Sequence, residues 1–245
     1  MTELKTSPPE IVEVKVSNGI YAKYIKRFLD ICCALAAIIV FSWLYIIIAI
    51  LVRIKLGSPI IFKQERPGKD EKIFKLYKFR TMTDEKNENG ELLPDKKRLT
   101  KFGRFLRSTS LDELPEAFNI LKGDMSVIGP RPQLVRDMVF MSDRHRMRHK
   151  VRPGLSGLAQ ISGRNAIDWQ NKLDLDLEYI QQIAFFYDWK IIFLTVFKVF
   201  KREDISAEGM ETAEDYGDYL LRNGNISQGE YDTLQDEAKK LSAVG

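Results

Sequence analysis

The stretch ICCALAAIIVFSWLYIIIAILV, residues 31–52, contains 22 residues and not one charge. A helix needs about 20 predominantly apolar residues to cross the hydrocarbon core of a bilayer. The run begins too far into the chain, and is too long, to be the apolar core of a cleaved signal peptide. The sequence therefore predicts a membrane helix over residues 21–56, preceded by a flexible N-terminal arm at residues 1–20.

Basic residues flank this apolar run on both sides. Those nearest to it are Lys23, Lys26, Arg27, Arg53 and Lys55. Short basic flanks tend to stay on the cytoplasmic side of a membrane, so both ends favour the same side. A re-entrant helical hairpin satisfies both ends, with Ser42 bonding to a carbonyl of the preceding turn and bending the helix. A single span with basic residues at both interfaces is the alternative, and the residues leave both open.

Charge is distributed unevenly along the chain. Residues 203–245 hold 11 acidic and 3 basic residues, a net charge of −8, whereas the whole chain carries +4. The remainder therefore carries +12, which indicates partners that bear phosphate: anionic lipid, nucleotide or nucleic acid. The two cysteines, Cys32 and Cys33, are adjacent within the apolar run, which argues against a disulfide or a metal site.

Beyond the membrane helix, hydrophobic periodicity and turn residues predict a small β-hairpin and several helices. The hairpin has strands at residues 60–64 and 72–80, joined by a turn at residues 66–70. Helices are predicted over residues 99–121 with a break at 108–115, and over residues 133–150, 167–183, 187–201 and 230–241. The aromatic-rich helix near residues 187–201 favours a position in the membrane interface over a core position.

The segment SLDELP, residues 110–115, is the first candidate for chemistry. Ser110 followed by Glu113 is the pattern of a capping box at a helix start, and taken alone this structural interpretation is favoured. The functional alternative gives Asp112 and Glu113 separate roles, because neighbouring residues on a helix diverge by about 100°. One carboxylate would be a nucleophile that attacks phosphorus, and the other a ligand of Mg²⁺.

The segment GPRP, residues 129–132, predicts a rigid, non-helical turn with prolines on both sides of Arg131. A guanidinium held in this way suits bidentate binding of phosphate, although a solvated arginine in a tight turn has the same pattern. Together with Lys78, Arg80 and Lys122, it predicts a site for a highly anionic substrate.

Two further segments carry weaker signals. The glycines of residues 152–163 permit close approach of backbone N–H groups to phosphate, but they match neither nucleotide-binding fingerprint. In the segment RHRMRHK, residues 144–150, the two histidines have the spacing of a zinc pair, but their cationic neighbours argue against zinc. We interpret this segment as a basic face near lipid phosphate, or as solvated charge.

These segments, in this order, resemble the bacterial sugar transferase family, the monotopic phosphoglycosyl transferases. The matching stretches are KRFLD (26–30), PIIFKQERPG (59–68), FKLYKFRTM (74–82), SLDELP (110–115), NILKGDMSVIGPRP (119–132), RPGLSG (152–157) and DLEY (176–179). The resemblance covers about residues 25–201. It departs from the family in one respect, because the Ser-Pro pair often found at the bend of the membrane helix is Ser42-Trp43 here.

The resemblance implies an α/β, mainly α, fold: an N-terminal re-entrant membrane helix, a small β-hairpin and a helical cytoplasmic catalytic domain with interfacial amphipathic helices. The catalytic domain would cover residues 57–202, and an acidic C-terminal extension would cover residues 203–245. The expected location is the bacterial inner membrane, with the catalytic domain on the cytoplasmic face.

The resemblance also implies the chemistry. Asp112 would attack the β-phosphorus of a UDP-sugar and release UMP, and undecaprenyl (polyprenyl) phosphate would then take the phosphosugar from the enzyme. This reaction initiates capsule, exopolysaccharide or glycoprotein glycan assembly. Glu113 would help to hold Mg²⁺, and the substrate-binding residues would be Arg131, Lys78, Arg80 and Arg107.

The partners that follow are the UDP-sugar, the polyprenyl phosphate and membrane lipid, with a second copy of the chain as a candidate and no nucleic acid. The alternative from another class is a membrane-anchored basic binding or scaffold protein without catalysis. That alternative accounts for the basic charge and the anchor, but not for the ordered set of motifs.

Overall fold

A computed structural model describes residues 14–163, 167–201 and 214–244. In this part of the chain the fold is mainly helical, as the sequence predicts, and it holds two small sheets, of which the sequence analysis predicted only the hairpin. The helices of the first half are α1 (Lys26–Val40), α2 (Ser42–Lys55), α3 (Asp95–Arg98), α4 (Lys101–Ser108) and α5 (Glu116–Lys122). Those of the second half are α6 (Val135–Met138), α7 (Asp143–Arg146), α8 (Leu158–Ser162), α9 (Trp169–Gln181), α10 (Phe185–Lys201), α11 (Tyr216–Arg222) and α12 (Gln228–Val244). Short non-α turns lie at Tyr21–Ile25, Lys69–Glu71, Leu111–Glu113 and Met147–Lys150.

The apolar run forms two helices that meet at a bend. Among the described residues no single helix is long and apolar enough to cross a bilayer, but Tyr21–Val40 and Ser42–Lys55 together are, and they are bent by 64°. The break falls at Phe41, next to the Ser42 at which the sequence predicts a bend. Phe41 itself is exposed.

Both outer ends of this bent pair are attached to the same domain. At the start of α1, the Arg27 guanidinium donates to the carbonyl oxygens of Ile120 (2.7 Å) and Leu121 (3.0 Å), near the end of α5. Cations suit helix C-termini because the last carbonyls are unpaired there. In α2, Ile48 and Val52 are buried in a core that continues into the domain.

Not all the flanking basic residues face outward. Lys26 Nζ pairs with Asp188 Oδ2 at 2.6 Å, and its side chain is largely buried. Arg27 is used for the helix contacts described above, whereas Lys23, Arg53 and Lys55 are exposed. Of the five basic residues that flank the apolar run, Lys26 and Arg27 therefore make contacts within the protein.

The predicted hairpin is confirmed. Its strands are β1 (Ile61–Pro67) and β2 (Ile73–Phe79), which pair antiparallel with Phe62 opposite Lys78 and Lys63 opposite Tyr77. Because side chains alternate between the faces of a strand, Lys78 and Tyr77 point to opposite sides. Asn119 of α5 accepts the Tyr77 N–H at 3.0 Å and so joins α5 to this strand.

A second, parallel sheet supports the GPRP turn. Its strands are β3 (Ser126–Ile128) and β4 (Gly154–Ser156). At its end the two backbones approach so closely that a Cβ on Gly154 would lie 2.1 Å from Gly129 N. Gly154, one of the glycines considered for phosphate binding, is therefore required for backbone packing. Asp30 of α1 caps this sheet by accepting from Ser126 Oγ (2.8 Å) and Val127 N (2.9 Å).

The prediction of one continuous helix over residues 133–150 is wrong. The structure has three short pieces there, α6, α7 and the turn Met147–Lys150. The interruption falls at Ser142, whose side chain accepts the His145 N–H at 3.3 Å and begins a new helix. A capping serine ends one helix and starts the next because its oxygen competes for backbone N–H groups.

The basic face predicted at residues 144–150 is also incorrect in part. Arg148 is 2% exposed, and His145 and His149 are buried as well. The guanidinium of Arg148 donates from Nε (2.9 Å) and from one terminal nitrogen (2.6 Å) to Asp176 Oδ2. These side chains belong to the interior, and charge counting along the sequence does not distinguish them from solvated ones.

Helices α9 and α10 form the far side of the domain. Leu177 and Ile180 of α9 are buried in a core that α10 completes with Ile191. Val14 and Ser17 lie along the end of α9, where Ser17 N donates to Ile180 O at 2.8 Å, so this part of the predicted arm is anchored. Residues 1–13 of that arm lie outside the described residues.

Candidate active site

Asp112 lies in a tight turn, Leu111–Glu113, between α4 and α5. The residue before this turn, Ser110, has a φ of 55°, which is unusual for a residue other than glycine. Conformations of this kind persist where the surrounding structure enforces them, and they concentrate at functional sites. Asp112 is buried, with 7% of its surface exposed.

The capping box predicted from Ser110 and Glu113 does not form. Ser110 makes no side-chain cap because its backbone is left-handed. Glu113 Oε1 instead accepts from Lys78 Nζ at 2.7 Å and from a terminal nitrogen of Arg131 at 2.8 Å. The carboxylate is thus held by two cations from distant parts of the sequence.

We call the group formed by Asp112, Glu113, Glu116, Lys78 and Arg131 the carboxylate cluster. Glu116, which sequence reasoning missed, is almost fully buried, and its Oε1 lies 3.2 Å from Lys78 Nζ. The one signal that the sequence offered is its place in the first turn of α5, three residues after Glu113. Lys78 reaches this cluster because it lies on the face of β2 opposite Tyr77.

The electrostatics of the cluster differ from one carboxylate to the next. Burial and the neighbouring charge of Glu113 raise the pKa of Asp112 to about 6, against the opposing effect of Lys78, Arg107 and Arg131. Burial by itself would raise the pKa of Glu113, but Lys78 and Arg131 outweigh it and hold that pKa below its usual range.

The remaining members of the cluster respond to the same charges. Burial and the charge of Glu113 raise the pKa of Glu116 to about 7. For Lys78, burial lowers the pKa, but Glu113 and Glu116 together raise it above its usual value. At neutral pH, Glu113 and Lys78 are therefore charged, Asp112 is mostly ionised, and Glu116 is near the midpoint of its titration.

Arg131 reaches the cluster from the turn at residues 129–132. Its backbone carbonyl accepts from the buried guanidinium of Arg148 at 2.6 Å, and the Pro132 carbonyl accepts from Arg66 at 3.0 Å. The charge of Glu113 is the largest cause that raises the pKa of Arg131. The predicted non-helical turn is confirmed, and 42% of the Arg131 side chain remains open to solvent.

Two other predicted residues have different surroundings. Arg107 donates from Nε to Thr81 Oγ1 at 3.1 Å and lies near enough to Asp112 to lower the pKa of that carboxyl. Arg80 is buried, and its guanidinium contacts the carbonyl oxygens of Ser58 and Met82. The contacts of Arg80 therefore stabilise the chain leaving β2.

Lys122 is also outside the cluster. It is more than half exposed, and its Nζ lies 3.2 Å from Asp124 Oδ2 and 5.5 Å from the ring centre of Tyr77. Within the described ranges, no group of three or more Asp, Glu, His or Cys side chains forms a ready-made metal site.

Helix α2 also contacts the site. Tyr45 Oη donates to the carbonyl oxygen of Leu114 at 2.5 Å, and the Tyr45 ring packs against Phe79 and Phe118. The apolar helix pair and the turn that carries Asp112 are therefore directly connected.

The site therefore holds a buried carboxylate among cations, next to an apolar helix pair. Comparison with known sequences gives the family: the model of the bacterial sugar transferases matches residues 21–202. The chain belongs to the bacterial sugar transferase family.

Three relatives illustrate the similarity. The chain is 48% identical over 190 residues to a Bacillus subtilis protein named uncharacterized sugar transferase EpsL, covering 78% of this chain and 94% of that protein. It is 44% identical over 193 residues to UDP-glucose:undecaprenyl-phosphate glucose-1-phosphate transferase of Klebsiella pneumoniae, covering 75% and 41%.

The third relative is UDP-N-acetylgalactosamine-undecaprenyl-phosphate N-acetylgalactosaminephosphotransferase of Aeromonas hydrophila, 40% identical over 188 residues, covering 73% and 44%. The chain thus spans nearly all of the Bacillus relative and less than half the length of the other two.

Proposed function

We propose that this chain transfers a sugar 1-phosphate from a UDP-sugar to undecaprenyl (polyprenyl) phosphate with release of UMP, the step that initiates capsule, exopolysaccharide or glycoprotein glycan assembly. The observation that carries this proposal is the buried carboxylate of Asp112, held at a strained turn among Lys78, Arg107 and Arg131. Relatives that span this region are named for transfer of sugar phosphates to undecaprenyl phosphate.

The reaction proceeds in two displacements at phosphorus. An Asp112 oxygen forms a bond to the β-phosphorus while the bond to the bridging oxygen breaks and UMP leaves with that oxygen. An oxygen of the polyprenyl phosphate then attacks the same phosphorus, and the bond to Asp112 breaks to regenerate the carboxylate. A covalent intermediate divides one difficult transfer into two easier ones.

The cations of the site bind and orient the donor. Arg131 is open to solvent on one side, so its remaining N–H groups can bind a phosphate in bidentate fashion. Lys78 stays charged between Glu113 and Glu116 and offsets negative charge near Asp112. Burial of Asp112 excludes water that would otherwise hydrolyse the intermediate.

The acidic residues fit Mg²⁺ in the mode in which one or two carboxylates share the ion with substrate phosphates. In the carboxylate cluster three carboxyl groups lie beside two cations, Lys78 and Arg131, so the charges present suit a further cation. Glu113, with Asp112 beside it, would hold the ion. When bound, Mg²⁺ would offset the charge of the donor's phosphates.

We place the site at the cytoplasmic face of the bacterial inner membrane, the side that the basic flanks of the apolar run favour. Two further features support its position at a membrane surface. Both outer ends of the bent pair α1–α2 pack on one domain, which suits a re-entrant hairpin rather than a straight span. On α10, the aromatic side chains Phe186, Trp189, Phe193 and Phe197 are exposed at helical spacing. Amphipathic helices with such a face lie in the membrane interface.

The test measures UMP released from a panel of UDP-sugars by the purified chain in detergent with Mg²⁺ and polyprenyl phosphate. Sustained release with formation of a lipid-linked sugar is expected for at least one donor. Without the acceptor, release should stop at about one UMP per active site, the burst expected of a covalent intermediate. A chain that binds a UDP-sugar but never releases UMP would instead be a binding or scaffold protein.

A further inference from the structure

The C-terminal segment, defined here as residues 214–244, lies beyond the part of the chain that matches the family, which ends at residue 202. It nevertheless shares a core with the domain, in which Tyr216 and Leu220 are buried against Phe140 and Trp169. The rings of Trp169 and Tyr216 lie 5.1 Å apart, and Trp169 Nε1 donates to Glu214 O at 3.1 Å. The segment is therefore built into the domain.

A buried carboxylate connects this segment to the turn that carries Arg131. Asp137, which is 2% exposed, accepts the Tyr216 N–H on Oδ1 at 2.9 Å and the Leu134 N–H on Oδ2 at 3.1 Å. Leu134 is two residues after Pro132, at the exit of the turn. One side chain thus fixes both the exit of the turn and the start of α11.

Charged side chains also connect the C-terminal segment to the turn that carries Arg131. Arg66 donates to the Pro132 carbonyl at 3.0 Å. Its guanidinium also interacts electrostatically with the positive charge of Arg131 and with the negative charges of Asp137 and Asp215. Asp215 also pairs with Arg136 of α6. The first residues of the C-terminal segment therefore supply acidic charge to a region that holds three arginines close to the phosphate-binding turn.

We propose that the C-terminal segment is a positioning element of the transferase site, and that docking of α11 on Asp137 and Phe140 fixes the turn that presents Arg131 to the donor phosphate. This inference rests on the proposed function. A positioning element acts through another residue, so its loss should weaken the use of the donor by way of Arg131. It should not affect steps in which Arg131 has no part.

Two glycines offer a matched test. Gly217 and Gly229 are each the second residue of a helix, α11 and α12. A Cβ on Gly217 would lie 2.5 Å from the buried Phe140 ring, whereas a Cβ on Gly229 would meet nothing within 4 Å. Because small misplacements of a substrate-binding group are costly, Gly217→Val should lower kcat/KM for the UDP-sugar about tenfold or more, and Gly229→Val less than about twofold. Equal values for the two variants would overturn the proposal.

A double-mutant cycle separates positioning from general destabilisation. Once Arg131 is replaced by Ala, there is no guanidinium left to position, so Gly217→Val should add little to the loss caused by Arg131→Ala. If Gly217→Val lowers kcat/KM by the same factor in both backgrounds, the segment acts by another route and the proposal is wrong. Failure of the proposed function is a separate outcome, because the unmodified chain would then release no UMP.

If Gly217→Val does not fold, a milder pair of variants tests the same proposal. Asp215→Asn removes the charge that faces Arg66 and Arg136, and Asp236→Asn removes an exposed charge that pairs with Lys239 within α12. We expect Asp215→Asn to lower kcat/KM for the donor about threefold and Asp236→Asn to leave it unchanged, in line with coupling among neighbouring residues. Asp215→Asn with unchanged kcat/KM would contradict the proposed role of the segment.

Discussion

The Arg148–Asp176 pair and the carboxylate cluster both bring acidic and basic side chains together in the interior of this domain. The two groups differ in how their negative and positive charges are balanced. In the pair formed by Arg148 and Asp176, one cation meets one carboxylate, and the side chains are 1% and 2% exposed. In the carboxylate cluster, Asp112, Glu113 and Glu116 compete for Lys78 and Arg131. Burial and the charge of Glu113 raise the pKa of Asp112 and of Glu116, whereas Lys78 and Arg131 hold the pKa of Glu113 below its usual range. Burial also raises the pKa of Asp176, but there the opposing charge comes mainly from its one partner, Arg148.

This difference shows two ways to bury a charged side chain. The charge is either fixed by a partner of its own or left available to a ligand because its neighbours are shared. Arg148 serves structure: it pairs with Asp176 and donates to the Arg131 carbonyl. Asp112 lies where the nearby cations are shared with Glu113 and Glu116, and burial together with the charge of Glu113 keeps its pKa raised. If this distinction holds, substitutions in the two groups should separate activity from stability.

The largest effect on activity is expected for Asp112→Asn. Removal of the nucleophile should lower UMP release by at least about 10³-fold, because Glu113, the other carboxylate of the turn, is held by Lys78 and Arg131. Stability at pH 7 should increase by about 1–3 kcal/mol, because the ionised form of a carboxyl with a raised pKa opposes folding.

The sign of that stability change can be checked with pH. At pH 4 the native Asp112 is already protonated, so the advantage of Asp112→Asn should shrink as pH falls from 7 to 4. Chemical denaturation at both pH values measures it. Near-normal activity of Asp112→Asn would remove the distinction between the two charge groups.

The largest effect on stability is expected for Arg148→Met. Breaking a buried pair leaves Asp176 without its partner, which should lower the free energy of unfolding by about 3–5 kcal/mol. Arg148→Met with Asp176→Leu removes both charges and should recover most of that loss. If the double variant is no more stable than the single one, the pair is not the balanced structural unit described here.

The pH profile of turnover gives the next effect. Asp112 must be ionised to attack phosphorus, and its pKa lies at about 6. Activity should therefore be highest above pH 7 and fall about tenfold for each pH unit below 6, as the carboxylate is protonated. The pH dependence of kcat/KM for the donor measures this limb, because kcat/KM reports ionisations of the free enzyme. An acid limb near the ordinary pKa of an aspartate would contradict the electrostatics of the cluster.

A smaller effect is expected for Glu116→Gln. Glu116 and Glu113 share Lys78, and the pKa of Glu116 lies at about 7. Without the Glu116 charge, any inflection of the pH profile near 7 should disappear while the limb near 6 remains. The rate itself should change by about threefold or less, because Lys78 stays paired with Glu113. The conservative control is Glu116→Asp, which keeps the charge.

Sequence reasoning selected most members of the carboxylate cluster but not their arrangement. Asp112, Glu113, Lys78 and Arg131 were selected from motifs, and the structure brings all four together. The favoured capping interpretation of Glu113 was wrong because the left-handed backbone at Ser110 is set by packing around the turn, and residue types do not reveal it.

The errors elsewhere have a similar origin. Glu116 was missed because its contact with Lys78 joins α5 to a strand 38 positions earlier in the sequence. Arg80 was grouped with the phosphate-binding cations; its role stays a prediction, and the structure shows it buried against two backbone carbonyls and paired with Asp84. Local pattern predicts which residues are basic or capping. Burial, which decides whether a charge is solvated, depends on contacts between distant segments.

The smallest effect concerns the connection between the apolar helix pair and the site. Tyr45→Phe removes the hydrogen bond to the Leu114 carbonyl but keeps the ring against Phe79 and Phe118. We expect a loss of about 1 kcal/mol in unfolding free energy. Activity should fall by about twofold at most, because the cations that hold the cluster are untouched. Tyr24→Phe, at an exposed ring preceding α1, is the matched control and should change neither quantity. A much larger loss of activity for Tyr45→Phe would mean that α2 shapes the cluster itself, and the contrast between fixed and available charge would then extend to the apolar helix pair.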